Sequence, residues 1–265
     1  MKGKSPLHAS EASGFYRLTS AQLDTYRTKG QLFLPGVADP AAAAEFRTAV
    51  RDAVDKYNTE NRPMAERDEI GRAFLQTINL WELSKAVYPF VMCSRYAGIA
   101  AQLLETTAVR LYLDQAFFKE PGGGPTPWHR DNDYMLNLAP NRKVTMWMPL
   151  TDLTAEIGSL SFLSGSHLLP GSGFKQLIKQ SLTVETYGPM TAGDATFHCG
   201  YTFHCAPPNP TPHTREAMTI TYYPADASIT DPGQHPDRLR HMHRYFPGLT
   251  PGDHAASLLN PIVYP

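Results

Sequence analysis

Apolar residues recur every three or four positions in the first part of the chain and give way to short alternating runs in the second. Thr19 followed by Gln22 forms a capping box for a short helix that Gly30 is placed to close. Residues 31–35 (QLFLP) read as a strand. Asp39-Pro40 sets an N-cap before a first-turn proline, and Phe46, Val50, Val54 and Tyr57 then mark one face of an amphipathic helix. Residues 60–73 are polar and poorly patterned, and 1–17 read as a loose arm. Residues 74–107 are expected to be further helix, with Ile99, Leu103 and Leu104 facing inward. From about 108 the texture changes. Val109–Lys119 (VRLYLDQAFFK), Val144–Pro149 (VTMWMP), 160–163, 184–187, 195–198 and 217–223 are short, β-branched or aromatic, and bounded by Gly, Pro or Asn. Strands so punctuated indicate a sandwich or jelly roll. With helices first and strands second, one domain over 1–265 is expected: a helix-rich layer (1–107), a β core (108–225) and a C-terminal extension (226–265).

Composition sharpens this picture by exclusion. A chain of 265 residues exceeds the usual domain length, but β-barrels and sandwiches of this size commonly form one unit. Lys plus Arg (24) nearly balances Asp plus Glu (25), so neither nucleic acid nor an anionic membrane is an expected partner. The 23 prolines fall mostly outside the patterned runs, which predicts many loops. Cys93, Cys199 and Cys205 make neither a disulfide framework nor a CxxC metal spacing. The opening MKGKSPLHASEASG has no apolar core of a secretory signal, and no run approaches the length of a membrane span. A cytoplasmic protein is expected.

The most informative segment is Trp128-His129-Arg130-Asp131. On an extended backbone alternate side chains share a face, so His129 and Asp131 point the same way. They supply two legs of a 2-His-1-carboxylate triad, which leaves open positions on iron(II) for small molecules. Alone, an HxD pair is a weak signal. The third leg must come from a distant strand, and His204 is the leading candidate. A Gly193-Asp194 turn, a strand, a Gly200-Tyr201 turn and a return strand would carry it back across the barrel. His198, six residues earlier, is the rival, though its Phe-His-Cys context reads as a pocket wall or a satisfied core histidine. Eleven residues beyond His204 stands Arg215, after a proline-broken turn at 207–212. A hairpin connection there would place Arg215 on a neighbouring strand near the metal. Its planar fork can grip a carboxylate through two parallel hydrogen bonds, as the far end of a chelating dicarboxylic co-substrate requires.

From about Phe118 to Tyr223, and again over LTSAQLDTYRTKGQLFLPG near the start, the chain resembles the phytanoyl-CoA dioxygenase family. The matching elements are FKEPGGG, WHRD, VTMWMPLTDLTAEIGSLSFLSGSH, a GD-containing strand, and HCAPPN with Arg215 beyond it. The resemblance implies a mainly β protein with flanking helices around a double-stranded β-helix (jelly-roll) core. It also implies an oxidoreductase that uses Fe(II), 2-oxoglutarate and O2 to oxidise a small molecule, usually by hydroxylation. By the same resemblance His129, Asp131 and His204 are the iron ligands and Arg215 binds the distal carboxylate of 2-oxoglutarate. Trp147 lines the co-substrate pocket, and Gln115 lies against the co-substrate with Leu113 and Phe117 on its face. Two positions depart from the family pattern: Arg130 where Gln is frequent, and Ala206 where a small hydroxyl residue is common. Asp131 separates the chain from related halogenases, which carry a small residue there.

Other residues carry weaker readings. Asn132, Asp133 and Tyr134 should rim the site, and Gln76, Asn79 and Trp81 sit on the presumed helical cover as candidate substrate contacts. His167 reads as ordering a turn, and Gly122–Gly124 as a flexible turn at the barrel mouth, since no helix with Lys-Ser/Thr follows. Cys205 should face away from its neighbour His204. His241 and His243 have HxH spacing, but RLRHMHR reads as a solvated or lid-like basic face. Two alternatives accompany the hydroxylase reading: the same cofactors with desaturation, cyclisation or epimerisation as outcome, and a cupin-like metal protein without oxygenase activity. Arg215 and Trp147 speak against the second. Nothing in the sequence specifies the substrate or an oligomeric state.

Overall fold

The computed structural model describes residues 14–265, so most of the arm expected at 1–17 lies outside the described residues. The N-terminal elements are α1 (Ser20–Lys29), β1 (Gln31–Leu34), α2 (Pro40–Tyr57), α3 (Glu69–Ala73), β2 (Leu75–Ile78), α4 (Leu80–Leu83), α5 (Tyr88–Val91) and α6 (Ser94–Leu103). Next come β3 (Val109–Lys119), β4 (Thr126–His129), α7 (Asp131–Tyr134), β5 (Leu138–Ala139), β6 (Val144–Pro149) and β7 (Ser161–Leu163). The chain ends with α8 (Phe174–Ile178), β8 (Val184–Thr186), β9 (Ala195–Cys199), β10 (His204–Ala206), β11 (Arg215–Pro224), β12 (Ser228–Ile229), α9 (Pro236–Tyr245) and β13 (Ile262–Tyr264).

The local signals act as read. The Thr19 hydroxyl accepts from Gln22 N while the Gln22 side chain accepts from Thr19 N, and Gly30 ends α1 in the left-handed region at φ 78°. The Asp39 carboxylate accepts from the backbone of Ala41 and Ala42, and α2 buries Phe46, Val50, Ala53 and Val54. These helices cover one face of a seven-stranded antiparallel sheet ordered β1-β9-β6-β11-β3-β13, with β2 also paired to β3. A four-stranded sheet, β4-β10-β7-β8, closes the jelly roll, and β5 with β12 forms a small third sheet.

Alternation decides what each strand does. In β6, Val144, Met146 and Met148 enter the main core, while Thr145 and Trp147 face the barrel interior. In β11, Met218, Ile220 and Tyr222 face the helices, while Arg215, Ala217, Thr219 and Thr221 share the interior face. Each fully buried aliphatic side chain in such a core stabilises by about 1.5–3 kcal/mol. Glu216, on the helix side, pairs with Arg47 of α2 at 2.7 Å and fastens that helix to the strand.

Two expectations change. Residues 74–107 are not continuous helix, because Leu75–Ile78 form an edge strand paired with Gln115–Phe118. A stretch as short as LQTI takes its conformation from the partner it meets, and here the open edge of β3 supplies one. Nor do the three segments divide by layer. β1 and β2 from the N-terminal part and β13 from the extension all join the same large sheet.

Candidate active site

β4 ends at His129, and Arg130 stays extended at φ −121° and ψ 137°, so alternation continues as far as Asp131 at the start of α7. His204 opens β10 as the Cα partner of His129, and their rings stand 4.2 Å apart. His129 Nε2 lies 3.9 Å and His204 Nε2 3.7 Å from Asp131 Oδ1. One donor atom from each of the three falls within 4.8 Å of the others. Both imidazoles have Nδ1 on a backbone carbonyl, His129 on Pro127 O at 2.9 Å and His204 on Thr202 O at 3.0 Å. Donating Nδ1–H there leaves each Nε2 lone pair free and aimed at the shared centre. Two such nitrogens and one carboxylate oxygen fit an iron(II)-type cation with open positions.

Behind Asp131 stands a support that the sequence did not reveal. The Thr145 hydroxyl donates to Asp131 Oδ2 at 2.8 Å and takes its own hydrogen bond from Thr221 Oγ1 at 3.0 Å. His198 is almost wholly buried, with Nε2 3.3 Å from the same Oδ2. Among the described residues the grouped metal donors are the triad alone, so His198 backs the carboxylate. Burial pushes the Asp131 carboxyl up, but the imidazoles of His198, His204 and His129 around it hold it below the ordinary range. Burial and the neighbouring imidazoles keep His204 well below its usual value, favouring the neutral ligand form.

Arg215 reaches this interior by a different route from the one expected. β10 and β11 are not partners in a hairpin, because the proline-broken segment crosses from the small sheet to the large one. Asn209, fully buried, pins the crossing by donating to Lys119 O at 2.9 Å and His213 O at 2.7 Å. Thr221 stands level with Asp131 through Thr145, and Arg215 lies three interior positions further along β11. Its guanidinium sits 5.8 Å from the Trp147 ring, Nη1 donates to Gly158 O at 3.3 Å, and Nε is buried without a partner. Gly158 is required here: at φ +71° a Cβ would also come within 2.5 Å of Pro207. Lys119, the Cα partner of Arg215, has no exposed surface and donates to the Gly124 carbonyl. Neither cation has a carboxylate partner among the described residues. Burial pulls Arg215 to about 10, and burial together with Arg215 pulls Lys119 to about 7. A buried guanidinium lacking a counter-charge, beside a lysine that an anion would draw to its charged form, fits a bound carboxylate.

The remaining candidates divide. Gln115 faces the interior between Leu113 and Phe117, and its Oε1 accepts from Gln76 Nε2 at 2.6 Å. Gln76 therefore belongs to the site's wall, but on strand β2 and not on a helix. Asn79 and Trp81 are not brought to the interior. The backbone of Trp81 meets Asp114 on the opposite, helix-covered face of β3, and its ring joins Glu82, Lys85 and Tyr88 in an outer groove. The Asn79 side chain bonds Glu82 at 3.3 Å. Asn132 is buried under the triad and not on a rim, and a Cβ on Gly200 would come within 2.5 Å of it. Asp133 is tied to Arg130 at 2.9 Å, whereas Tyr134 is half exposed, 6.3 Å from the His129 ring. The departures from the family pattern find uses. Arg130 faces outward onto Pro170 O and the Phe203 ring, and Ala206 joins Trp147 and Ala217 in an apolar wall. The Gly122–Gly124 turn is pinned to Asn209 and Arg72 and closes the Arg215 end, so it is not a loose mouth.

Comparison with known proteins agrees with this geometry. The family model for phytanoyl-CoA dioxygenase (PhyH) matches residues 26–217. Methylphosphonate hydroxylase of Gimesia maris is 25% identical over 218 residues, covering 77% of this chain and 80% of that protein. Among solved structures, the non-haem α-ketoglutarate-dependent carbocyclase SnoK from nogalamycin biosynthesis is 25% identical with a TM-score of 0.74, covering 98% of this chain and 99% of that one. The epimerase SnoN of the same biosynthesis is 25% identical with a TM-score of 0.77, covering 92% and 97%. A further structure of that epimerase holds Fe3+, α-ketoglutarate and nogalamycin RO.

Proposed function

We propose, for a chain that belongs to the phytanoyl-CoA dioxygenase family, that His129, Asp131 and His204 hold the iron and Arg215 holds 2-oxoglutarate. The chain is a 2-oxoglutarate-dependent dioxygenase that acts on a small molecule with Fe(II), 2-oxoglutarate and O2. Iron(II) with 2-oxoglutarate supplies O2 activation and removal of hydrogen from an unactivated carbon, with succinate and CO2 as co-products. The protein's share is placement and exclusion of water. His129 and His204 present Nε2 because backbone carbonyls take their Nδ1 protons, and Thr145 and His198 fix the Asp131 carboxylate. Arg215, with Lys119 beside it, receives the distal carboxylate, while Trp147, Ala206 and Ala217 form the apolar wall along the co-substrate. Gln115 and Gln76 frame the same wall from β3 and β2.

The observation that carries this reading is one interior holding a three-donor cluster and, further along it, a buried guanidinium without a carboxylate partner. Hydroxylation is the proposed outcome, in line with the Gimesia maris relative; the carbocyclase and epimerase neighbours support cyclisation or epimerisation as the second reading. A cytoplasmic setting is supported by three free cysteines. Among the described residues no helix is long and apolar enough to cross a membrane.

The test is a small-molecule screen with Fe(II), 2-oxoglutarate and O2, scoring substrate-stimulated succinate and product mass. A product that gains one oxygen atom supports hydroxylation, and one that loses hydrogen or keeps its mass supports the second reading. Asp131→Ala should drop turnover to background and lose Fe(II) binding; wild-type turnover in that variant refutes the ligand assignment.

A further inference from the structure

Beyond the triad, on the side away from Arg215, the interior becomes cationic again. The interior positions of β6 continue from Trp147 through Thr145 to Lys143, which is 1% exposed. Thr145 bonds Asp131, and Trp147 carries Arg215, so Lys143 lies past the metal donors on the far side from Arg215. Its ammonium donates to Asn141 Oδ1 at 2.6 Å and Asn132 Oδ1 at 3.2 Å, and sits 5.7 Å from the Tyr112 ring. Burial pulls Lys143 down to about 7, and a bound anion would hold it protonated with a third proton to donate.

Helix α9 covers this end with Arg238 and His241, three residues apart on one face. Tyr112 links the two sides, its ring 5.7 Å from the Lys143 ammonium and its hydroxyl 3.1 Å from His241 Nδ1, and Arg238 stands one helical turn before His241. Arg238 Nε is buried without a partner, and so is the amide Nδ2 of Asn132. The Tyr112 hydroxyl accepts from Leu136 N at 3.0 Å and shares a hydrogen bond with His241 Nδ1 at 3.1 Å. Donation of the Tyr112 hydroxyl to Nδ1 would make His241 Nε2–H a further donor. Asp237, the acid within α9, is engaged by Arg240. No carboxylate is in an ion pair with Lys143 or Arg238 among the described residues.

We propose that Lys143, Arg238, Asn132 and His241 form a second anion site, which binds an oxyanion group of the primary substrate while its reacting carbon lies at the triad. The inference rests on the reading of His129, Asp131 and His204 as the metal set. A neutral substrate would leave these buried donors unpaired, whereas a phosphonate or a carboxylate brings two or three acceptor oxygens to them. The barrel then has one anion site at each end, Arg215 with Lys119 for the co-substrate and Lys143 with Arg238 for the substrate. The basic run RLRHMHR is thus the wall of a binding site through Arg238 and His241, with His243 left on the solvent side.

Anaerobic titration calorimetry on the full chain tests this, with methylphosphonate, its neutral dimethyl ester, and propionate as probes. At least one of the two anions should bind, showing which oxyanion is preferred, and the ester should not. Arg238→Gln should weaken anion binding about tenfold or more and leave 2-oxoglutarate binding unchanged. Lys143→Met should do the same if it folds, and Arg238, only half-buried, serves if it does not. Arg215→Leu should show the reverse pattern. The proposal is overturned if neither anion binds, if the ester binds as well as the anion, or if Arg238→Gln leaves anion affinity intact. A chain that binds the anion through Arg238 but takes up no Fe(II) would refute the metal reading and leave the second site standing.

Discussion

β11 buries all ten of its residues, whereas β8, at the edge of the four-stranded sheet, leaves two of three exposed. The contrast holds across the two sheets. In the large one, β3, β6 and β11 are long, packed on helices on one side and on the barrel interior on the other. In the small one the strands run three or four residues, yet this sheet carries both triad imidazoles. Rings order both of its faces: inside, Phe162 stands 5.5 Å from His198 and 6.2 Å from His204, and outside, Trp128 stacks on Phe174 at 5.0 Å. Fold stability thus resides mainly in the large sheet, and metal chemistry in the small one. Thr145 joins the two, reaching from β6 to Asp131.

Substitutions should separate these roles. The largest effect is expected from Ile220→Ala, in the helix-facing row of β11 with no exposed surface. The lost burial and the cavity should destabilise the fold by about 2–5 kcal/mol, read by chemical denaturation. Fe(II) affinity of the folded fraction should not change, and a parallel loss of metal binding would break the division. Thr145→Val keeps the shape and removes the hydroxyl that holds Asp131. Fe(II) affinity should fall about 10- to 100-fold with little change in melting temperature. An unaltered affinity would deny that the large sheet supports the metal site.

The smallest effect concerns Asp114, on the helix-covered face of β3, where its carboxylate accepts from the backbone of Leu80 at 3.0 Å and Trp81 at 3.4 Å. Burial pushes it up to about 7, so the folded chain keeps a proton that an unfolded chain, with an ordinary value of about 3.9, releases. The stability contributed by that proton is fully present below about pH 4 and is lost as pH rises through about 7. Asp114→Asn should flatten the fall in denaturation midpoint over that window while leaving Fe(II) binding alone. An identical slope in the variant would remove Asp114 from the account.

Much of this was legible along the chain. The boundaries of β3 and β6 follow from alternation, and the ends of α1 and α2 from capping residues, because both depend on contacts within a few positions. The pairing of His129 with Asp131 is equally local, since one extended residue separates them. Motifs in order, from FKEPGGG to HCAPPN, were enough to indicate the family later matched over 26–217.

Tertiary structure decided what depends on partners distant in sequence. β2 became a strand because β3 offered an open edge, and that same pairing set Gln76 on the interior wall while Trp81 went to the outer face. Only the crossing between sheets put β11 in the large sheet and left β10 in the small one, so that Arg215 and His204 face one interior from different sheets. The meeting of Lys143 with His241 across Tyr112 joins segments about a hundred residues apart, and neither carries a pattern that announces the other. Local sequence sets backbone conformation and which side chains share a face; the partner opposite that face is chosen by folding, when apolar burial and unpaired donors across the whole chain are satisfied together.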